Sequence, residues 1–226
     1  MTSFVSELIE KHNGIYNTSI SHPLTNELCQ GILLNYQLFT YLNQDLKFFD
    51  YSLNVLGKAL ALSNEKSASI RLAKQIGWLA VDENDYFTNT LKELEWEQLP
   101  EVKGLRENNL TLPQVSKYID YLKYLINDCN SYLELITFCY VMEKVYLGWV
   151  EYNQEQNQIA AKLPPKFQIW IDLHNGEQFI EWVNFLQNEV ERNIHDDASK
   201  KICEDAFVKA VNLETEFFEA CYNYKE

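Results

Sequence analysis

Apolar residues recur every three or four positions along almost the whole of this sequence, and few residues interrupt the pattern. The stretch NYQLFTYLNQDLKFFDYSLNVLGKALALS, residues 35–63, is periodic from end to end. A period of 3.6 residues is that of an amphipathic α-helix, whereas the residues of a strand would alternate. Only 7 Gly and 5 Pro occur among the 226 residues, and no convincing alternating segment or internal repeat is present. The sequence therefore predicts an all-α bundle that forms one domain over residues 1–226.

Turn-forming residues divide this pattern into separate helices. Asn64 marks a boundary, after which a second long helical stretch runs to Trp96. The segment 97–113 is rich in helix breakers and is predicted to be a loop, and Pro164 and Pro165 end a later helical stretch. The other predicted helices cover residues 2–13, 21–33, 114–128, 131–153, 166–174, 176–193 and 197–223.

Charge and cysteine usage exclude several classes of protein. The formal net charge is −14, and no basic stripe is present, so neither nucleic acid nor an anionic membrane is expected as a partner. No run approaches about 18 apolar residues, and the N-terminal segment lacks the apolar core of a signal peptide, so no membrane span is expected. The 5 cysteines form no C-x-x-C pair. Their odd number predicts reduced thiols and a cytoplasmic location.

Three acidic residues lie on apolar faces of different predicted helices: Asp45, Glu143 and Glu214. Glu143 belongs to FCYVMEKVYLGW, which is apolar nearly all round and is expected to be a central helix. Burying a carboxylate without a partner costs several kcal/mol, so another side chain or a ligand must satisfy each acid. If the three converge in an aromatic cavity, at least one should have a raised pKa and be able to donate a proton near pH 7.

Metal and haem sites are the competing use of such residues. A di-iron bundle needs two E-x-x-H pairs, and the sequence contains none; Glu191 and His195 are four residues apart. His12 and His22 could hold a haem axially, but surface or helix-start positions are the more common role of such histidines. We therefore expect no metal and no cofactor, and a haem or di-metal oxidase is kept only as a third hypothesis.

Five segments that occur in order along the sequence resemble those of a known family: HPLTNELCQGIL, LFTYLNQDLKFFDY, EKVYLGW, WIDLHNGEQF and LETEFFEA. Together they resemble the TenA family of thiaminase II or aminopyrimidine aminohydrolases, over about residues 20–222. The set looks most like the fungal members of the E-type branch, in which a glutamate features where other members rely on a cysteine. The resemblance implies an all-α fold of the haem-oxygenase type. It also implies hydrolysis of 4-amino-5-aminomethyl-2-methylpyrimidine to the hydroxymethyl compound and ammonia, in thiamin salvage.

The resemblance implies roles for several residues. The aspartate that grips the aminopyrimidine falls on Asp45, and an aromatic residue of the pocket falls on Phe48. Glu214 matches the glutamate before the C-terminal aromatic pair, and we assign it as the proton donor. A tyrosine of the pocket falls on Tyr118 or Tyr121, between which the sequence does not choose.

Two positions depart from the usual pattern of the family, and a further tyrosine belongs to the expected pocket. Cys139 occupies the position of the cysteine nucleophile, one turn before the E-type Glu143. Cys139 is therefore either a nucleophile activated by Glu143 or a packing residue beside a glutamate that activates water. His174 stands where the family has a tyrosine, and Tyr146 is expected to stack on the substrate or close the pocket.

Two further expectations concern function and assembly. The alternative to a hydrolase is a non-catalytic pyrimidine-binding or regulatory protein on the same fold. Because related proteins are dimers or tetramers, the resemblance implies a homodimer or homotetramer.

Overall fold

Helices account for the regular structure that a computed structural model describes, which covers residues 3–95 and 99–226. No strand occurs in these two ranges, which confirms the all-α prediction. The α-helices of the described residues are α1 (Phe4–Lys11), α2 (Asn13–Ile20), α3 (Pro23–Gln30), α4 (Asn35–Leu62), α5 (Lys66–Trp78), α6 (Asn84–Glu95), α7 (Lys103–Asn108), α8 (Pro113–Asn127), α9 (Tyr132–Glu155), α10 (Pro165–Leu173), α11 (Glu177–Arg192) and α12 (Asp197–Asn223).

Side-chain caps fix where two of the long helices, α9 and α12, begin. At the start of α12, Asp196 accepts from the Ser199 backbone N–H at 2.8 Å, and Ser199 Oγ accepts from the Asp196 backbone N–H at 2.9 Å. At the start of α9, Ser131 Oγ accepts from the Glu134 backbone N–H at 3.1 Å. Such caps satisfy backbone donors that have no partner within the helix, and each stabilises a helix by about 1 kcal/mol.

Helix α9 is the centre of the molecule. It is buried on nearly all sides and packs against α2, α3, α4, α11 and α12, as its apolar sequence predicts. Gly148 lets α2 come close, because a Cβ at this position would lie 2.6 Å from Tyr16 Oη. Tyr16 Oη instead donates to the Lys144 carbonyl at 3.2 Å. The buried apolar residues of the described ranges form one continuous cluster around α9.

The loop prediction for 97–113 is wrong in part. Residues 97 and 98 lie outside the described ranges, but 100–102 form a 3₁₀ turn and Lys103–Asn108 form α7. The contact that stabilises this short helix comes from a residue far away in the sequence. The side chain of Glu226 accepts from the backbone N–H groups of Gly104 and Leu105, each at 2.8 Å, and so satisfies the free donors at the start of this short helix. No local pattern could indicate this contact.

The predicted helix that follows Asn64 is interrupted in the structure. Helix α5 ends at Trp78, a π-helical turn occupies Leu79–Glu83, and α6 continues from there; Trp96 lies outside the described residues. A π-helical turn arises where an extra residue enters an α-helix, and such turns often occur at functional sites. Here the turn faces the centre of α4 and α9, where the acids identified above lie.

Candidate functional site

A narrow cavity opens between α4, the π-helical turn and α9, and the residue that follows α10 closes one side of it. Its empty volume is about 420 Å³, including open space at the mouth. The cavity is lined by Asp45, Phe48, Phe49, Ser52, Leu56, Leu79, Glu83, Met142, Glu143, Tyr146 and His174. Five of the predicted site residues, Asp45, Phe48, Glu143, Tyr146 and His174, therefore lie together.

Of the three acids predicted from the sequence, Asp45 has the weakest protein contacts. It is 5 % exposed, and Tyr146 Oη reaches both carboxylate oxygens only at 3.4 Å. This tyrosine ends a chain in which Trp170 Nε1 donates to Tyr41 Oη at 3.1 Å and Tyr41 donates to Tyr146 at 3.3 Å. Burial raises the pKa of Asp45 to about 8, although the Tyr146 hydrogen bond acts in the opposite direction. Asp45 is thus a buried acid that is mostly neutral at pH 7.

Glu143 has one strong partner. Trp182 Nε1 donates to its carboxylate at 2.7 Å, and the guanidinium of Arg71 lies 5.0 Å from the centroid of the same indole. Burial raises the pKa of Glu143 to about 7, and the indole hydrogen bond and the Arg71 charge oppose that rise. Both protonation states are therefore populated near neutral pH, as an acid-base group requires.

Glu214 lies behind the cavity wall rather than on it. It is 2 % exposed and accepts a hydrogen bond from Tyr118 Oη, while the ring of Tyr118 packs on Phe48 with 4.8 Å between centroids. Burial raises the pKa of Glu214 to about 8, and the charges of Asp45 and Glu143 add to the effect. The structure brings Tyr118 to this acid, whereas Tyr121 stacks on Tyr124.

Cys139 lies one turn from Glu143 but does not line the cavity. Its side chain is almost fully buried, and its thiol pKa is raised, first by burial and then by the charge of Glu143. A thiol needs to be a thiolate to act as a nucleophile, and a raised pKa works against this. The surroundings of Cys139 suit a packing residue.

His174 is a neutral hydrogen-bond acceptor in the cavity. Its Nδ1 lies 2.8 Å from the Trp170 carbonyl, and because a carbonyl only accepts, Nδ1 carries the proton. Burial lowers the pKa of His174 to about 4, which leaves Nε2 unprotonated. The ring packs against Tyr146 with 4.9 Å between centroids. The neutral imidazole therefore offers an acceptor nitrogen at the position where a tyrosine would offer a hydroxyl.

The sequence analysis missed Glu83, the last residue of the π-helical turn, which is partly buried and lines the cavity. Its pKa is raised well above its ordinary value, first by burial and then by the charges of Glu143 and Asp45. Glu83 shares its helical face with Leu72, Leu79 and Phe87. The criterion that identified Asp45, an acid on an apolar face, would also have identified Glu83.

Neither the haem nor the metal alternative finds support in the described residues. His12 Nε2 lies 2.7 Å from Glu204, and His22 Nε2 lies 2.9 Å from Glu219, so each histidine is held by a glutamate near the surface. No group of three His, Cys, Asp or Glu side chains in residues 3–95 and 99–226 is placed to hold a metal ion. Within the same ranges, no helix is both long and apolar enough to cross a membrane.

Several solved structures have the same fold as this chain over nearly its full length. A TenA homologue from Pyrococcus furiosus is 19% identical, with 96% of this chain and 99% of that chain covered and a TM-score of 0.71. A protein named a TenA family transcription regulator, from Silicibacter sp. TM1040, is 15% identical, with coverage of 97% and 96% and a TM-score of 0.75. A protein provisionally named a TenA-like thiaminase, from Sulfolobus solfataricus P2, is 14% identical, with coverage of 96% and 95% and a TM-score of 0.68. At these identities the likeness concerns the fold.

The sequence itself decides the family. None of the curated proteins compared matches this chain. The sequence profile described as TENA/THI-4/PQQC family, however, matches residues 9–224, nearly the full length, and the family has the helical haem-oxygenase-like fold that the sequence predicted. The chain therefore belongs to the TENA/THI-4/PQQC family.

Proposed function

We propose that this protein is a hydrolase of the thiamin-salvage type, which converts 4-amino-5-aminomethyl-2-methylpyrimidine to the hydroxymethyl compound and ammonia. The observation that carries the proposal is the state of Asp45. It is a buried acid with no short protein contact, on the wall of an aromatic cavity. The cost of burying it is explained if a ligand completes its hydrogen bonds.

An aminopyrimidine presents the groups that Asp45 needs. Its ring nitrogen accepts a hydrogen bond and the adjacent amino group donates one. A neutral carboxyl group donates through its hydroxyl and accepts through its carbonyl, and Asp45 is mostly neutral at pH 7 because its pKa is about 8. Tyr146 and Phe48 supply the flat apolar walls on which such a ring packs.

The reaction needs one proton donor and one base. Proton donation to a ring nitrogen makes the ring electron-poor, so that water can add to a ring carbon, and the electrons of this adduct then expel the exocyclic amine. Glu214, with a pKa of about 8, is protonated near neutrality. It is connected to the cavity wall by Tyr118, which donates to Glu214 and packs on Phe48. Glu143, with a pKa of about 7, takes a proton from the attacking water. The C–N bond breaks with its electron pair on nitrogen, a second water forms the new C–O bond at the methylene carbon, and the first water leaves the ring. In the overall reaction, the protonated aminomethyl substrate and one water give the alcohol and an ammonium ion.

The role of Cys139 follows from its surroundings. A nucleophilic cysteine would have to lose its proton to Glu143 and reach the substrate, but Cys139 is absent from the cavity lining and its pKa is raised. We therefore assign the activation of water to Glu143 and packing to Cys139.

Names of related structures support both candidate functions. The protein from Sulfolobus solfataricus carries a thiaminase name, in line with the hydrolase. The protein from Silicibacter carries a regulator name, and His174 replaces a tyrosine of the family pattern here. These two observations favour the second candidate, a non-catalytic pyrimidine-binding protein on the same fold.

Product analysis tests the proposal. Wild type, Cys139→Ser and Glu143→Gln are incubated with the aminomethylpyrimidine, and ammonia and the hydroxymethyl product are followed. Loss of turnover only in Glu143→Gln is the expected result. Loss in both variants would restore Cys139 as a nucleophile with Glu143 as its base. Binding without turnover in the wild type would favour the non-catalytic candidate.

A further inference from the structure

Glu83 is a cavity residue that the reaction described above does not use. It ends the π-helical turn, and it and Leu79 are the residues of that turn that line the cavity. Asp45 and Glu143 line the same cavity, from α4 and α9. The Glu83 side chain makes no hydrogen bond or ion pair with any other residue in the described ranges. Its carboxyl group therefore has its full hydrogen-bonding capacity left for a ligand.

The charges around Glu83 indicate what kind of ligand group it suits. The described residues that line the cavity include three acids and neither lysine nor arginine. His174 is neutral there, because its pKa is about 4. The nearby cation, Arg71, lies over the indole of Trp182 and acts on Glu143. A ligand that brings a positive charge and several N–H donors would compensate these acids, whereas an anionic or uncharged group would not.

The division of roles leaves one substrate group without a partner. Asp45 is assigned to the ring edge, Glu214 to protonation and Glu143 to water, so the exocyclic amine is unassigned. A primary amine on a methylene carbon is protonated at neutral pH and carries three N–H donors. Burial and the neighbouring acids raise the pKa of Glu83, but a cation beside it favours the ionised form. The resulting carboxylate forms short, charge-assisted hydrogen bonds with the ammonium group.

We propose that Glu83 is a specificity-determining residue that binds the protonated aminomethyl group of the substrate. This inference rests on the proposed function and deepens it, because it selects among the pyrimidines that thiamin can yield. A hydroxymethyl group carries no charge, and the quaternary nitrogen of thiamin's thiazolium carries no N–H. Glu83 therefore favours a primary ammonium over both, and the contact is lost once the C–N bond has broken, which helps the uncharged product to leave.

Calorimetric binding at pH 7 tests the role of Glu83. The two ligands are the aminomethylpyrimidine and the hydroxymethylpyrimidine, which differ only in the group that Glu83 is proposed to bind. Because the wild type is proposed to hydrolyse the aminomethylpyrimidine, Glu83→Gln is introduced both into the wild type and into Glu143→Gln, in which binding is measured without turnover. Asp82→Asn is the matched control, because Asp82 precedes Glu83 in the π-helical turn but is exposed and does not line the cavity.

Loss of a charge-assisted hydrogen bond is expected to weaken aminomethylpyrimidine binding by about 10-fold to 100-fold in Glu83→Gln. Binding of the hydroxymethylpyrimidine should stay within about 2-fold, and Asp82→Asn should leave both affinities unchanged. Equal weakening of both ligands by Glu83→Gln would overturn the proposal, because a residue that only supports the wall would affect both. No weakening of either ligand would overturn it as well.

The design separates this inference from the proposed function. If the wild type turns over the aminomethylpyrimidine but Glu83→Gln weakens both ligands equally, only the role of Glu83 fails. If the wild type binds both ligands without turnover, the hydrolase proposal fails, and the ratio of the two affinities in Glu83→Gln still decides the role of Glu83. If the wild type binds neither ligand, both proposals fail together.

Discussion

Two buried acids in different parts of the molecule are satisfied in opposite ways. Glu189, on α11, is 7 % exposed and Asp45, on α4, is 5 % exposed. Arg192 holds Glu189 with two donors, Nε at 2.7 Å and Nη2 at 2.6 Å, and Tyr132 Oη adds a third at 2.7 Å. Asp45 receives a single hydroxyl at 3.4 Å. The depth of burial is nearly the same, but only one of these carboxyl groups is complete without a ligand.

The comparison teaches that burial alone does not identify a functional acid. A carboxylate held by a guanidinium and a phenol contributes to the stability of the fold, and nothing remains for it to bind. A carboxyl group with long contacts and a raised pKa opposes folding and can be compensated by a substrate. The predictions below test this contrast through activity, stability and pH dependence.

The largest expected effect is on turnover. Glu214→Gln should lower kcat by about 10²-fold to 10⁴-fold, because it removes the proposed proton donor. Glu189→Gln, the same substitution at a buried glutamate outside the cavity, should leave kcat within about 2-fold. Steady-state kinetics with the aminomethylpyrimidine measure both. A normal rate in Glu214→Gln would remove this residue from the mechanism.

Stability should respond in the opposite order. Arg192→Met leaves Glu189 with Tyr132 alone and should lower the free energy of unfolding by about 1–3 kcal/mol, a range reduced because the pair is partly exposed. Asp45→Asn keeps the shape of the side chain and removes a poorly satisfied acid, so its free energy of unfolding should be unchanged or higher. Urea unfolding at pH 7 compares the two variants. A larger loss in Asp45→Asn would reverse the contrast.

The pH dependence of stability gives a third test. The pKa of Asp45 is raised from 3.8 to about 8 in the folded state. Between these values the folded state keeps a proton that the unfolded state has lost, so the stability from Asp45 is full below about pH 4 and is lost as the pH rises through about 8. Asp45→Asn should reduce the fall in unfolding free energy between pH 5 and pH 8 by up to about 1.4 kcal/mol per pH unit.

A control for this slope is Asp196→Asn. Asp196 caps α12, and the backbone and side-chain hydrogen bonds from Ser199 lower its pKa, so it titrates below the measured window. Asn keeps a side-chain oxygen that can cap the helix, so this variant should show little change in stability and no change in slope between pH 5 and 8. If Asp45→Asn and the wild type had the same slope, the carboxyl group of Asp45 would be ionised in the folded protein.

The smallest expected effect concerns Cys139. Cys139→Ala should leave kcat within about 3-fold, because the thiol is buried away from the cavity lining. Loss of its packing should lower the free energy of unfolding by about 1 kcal/mol. A rate loss of a size similar to that of Glu143→Gln would mean that the thiol reaches the substrate.

The sequence predicted the helices and much of the candidate site because both leave local patterns. Helical spacing of apolar residues predicted a buried central α9, and a charge on an apolar face identified Asp45, Glu143 and Glu214. Partners supplied by distant elements leave no such pattern. The indole of Trp182 reaches Glu143 from another helix. The Glu226 side chain that caps α7 likewise comes from a position far away in the sequence.

Glu83 was missed for a related reason. The stretch from Asn64 to Trp96 was interpreted as one helix, and the π-helical turn that brings Glu83 to the cavity was not expected. Helix α2 was also not predicted, since residues 14–20 have a weak apolar pattern, and this helix owes its place to contact with α9 and α12. Local periodicity predicts neither the π-helical turn nor α2, although the apolar face on which Glu83 lies was a local signal.

The π-helical turn makes the number of residues in this segment as important as their identity. Deletion of one residue between 79 and 83 would restore a regular α-helix and rotate α6 by about 100° relative to α5. Tyr86, which stacks on Trp170 with 4.8 Å between centroids, would then leave the core, and Glu83 would leave the cavity. Single-residue insertions and deletions should therefore be excluded here by selection. A relative with an uninterrupted helix must be aligned to this chain with a one-residue gap, or the position compared with Glu83 will be the wrong one.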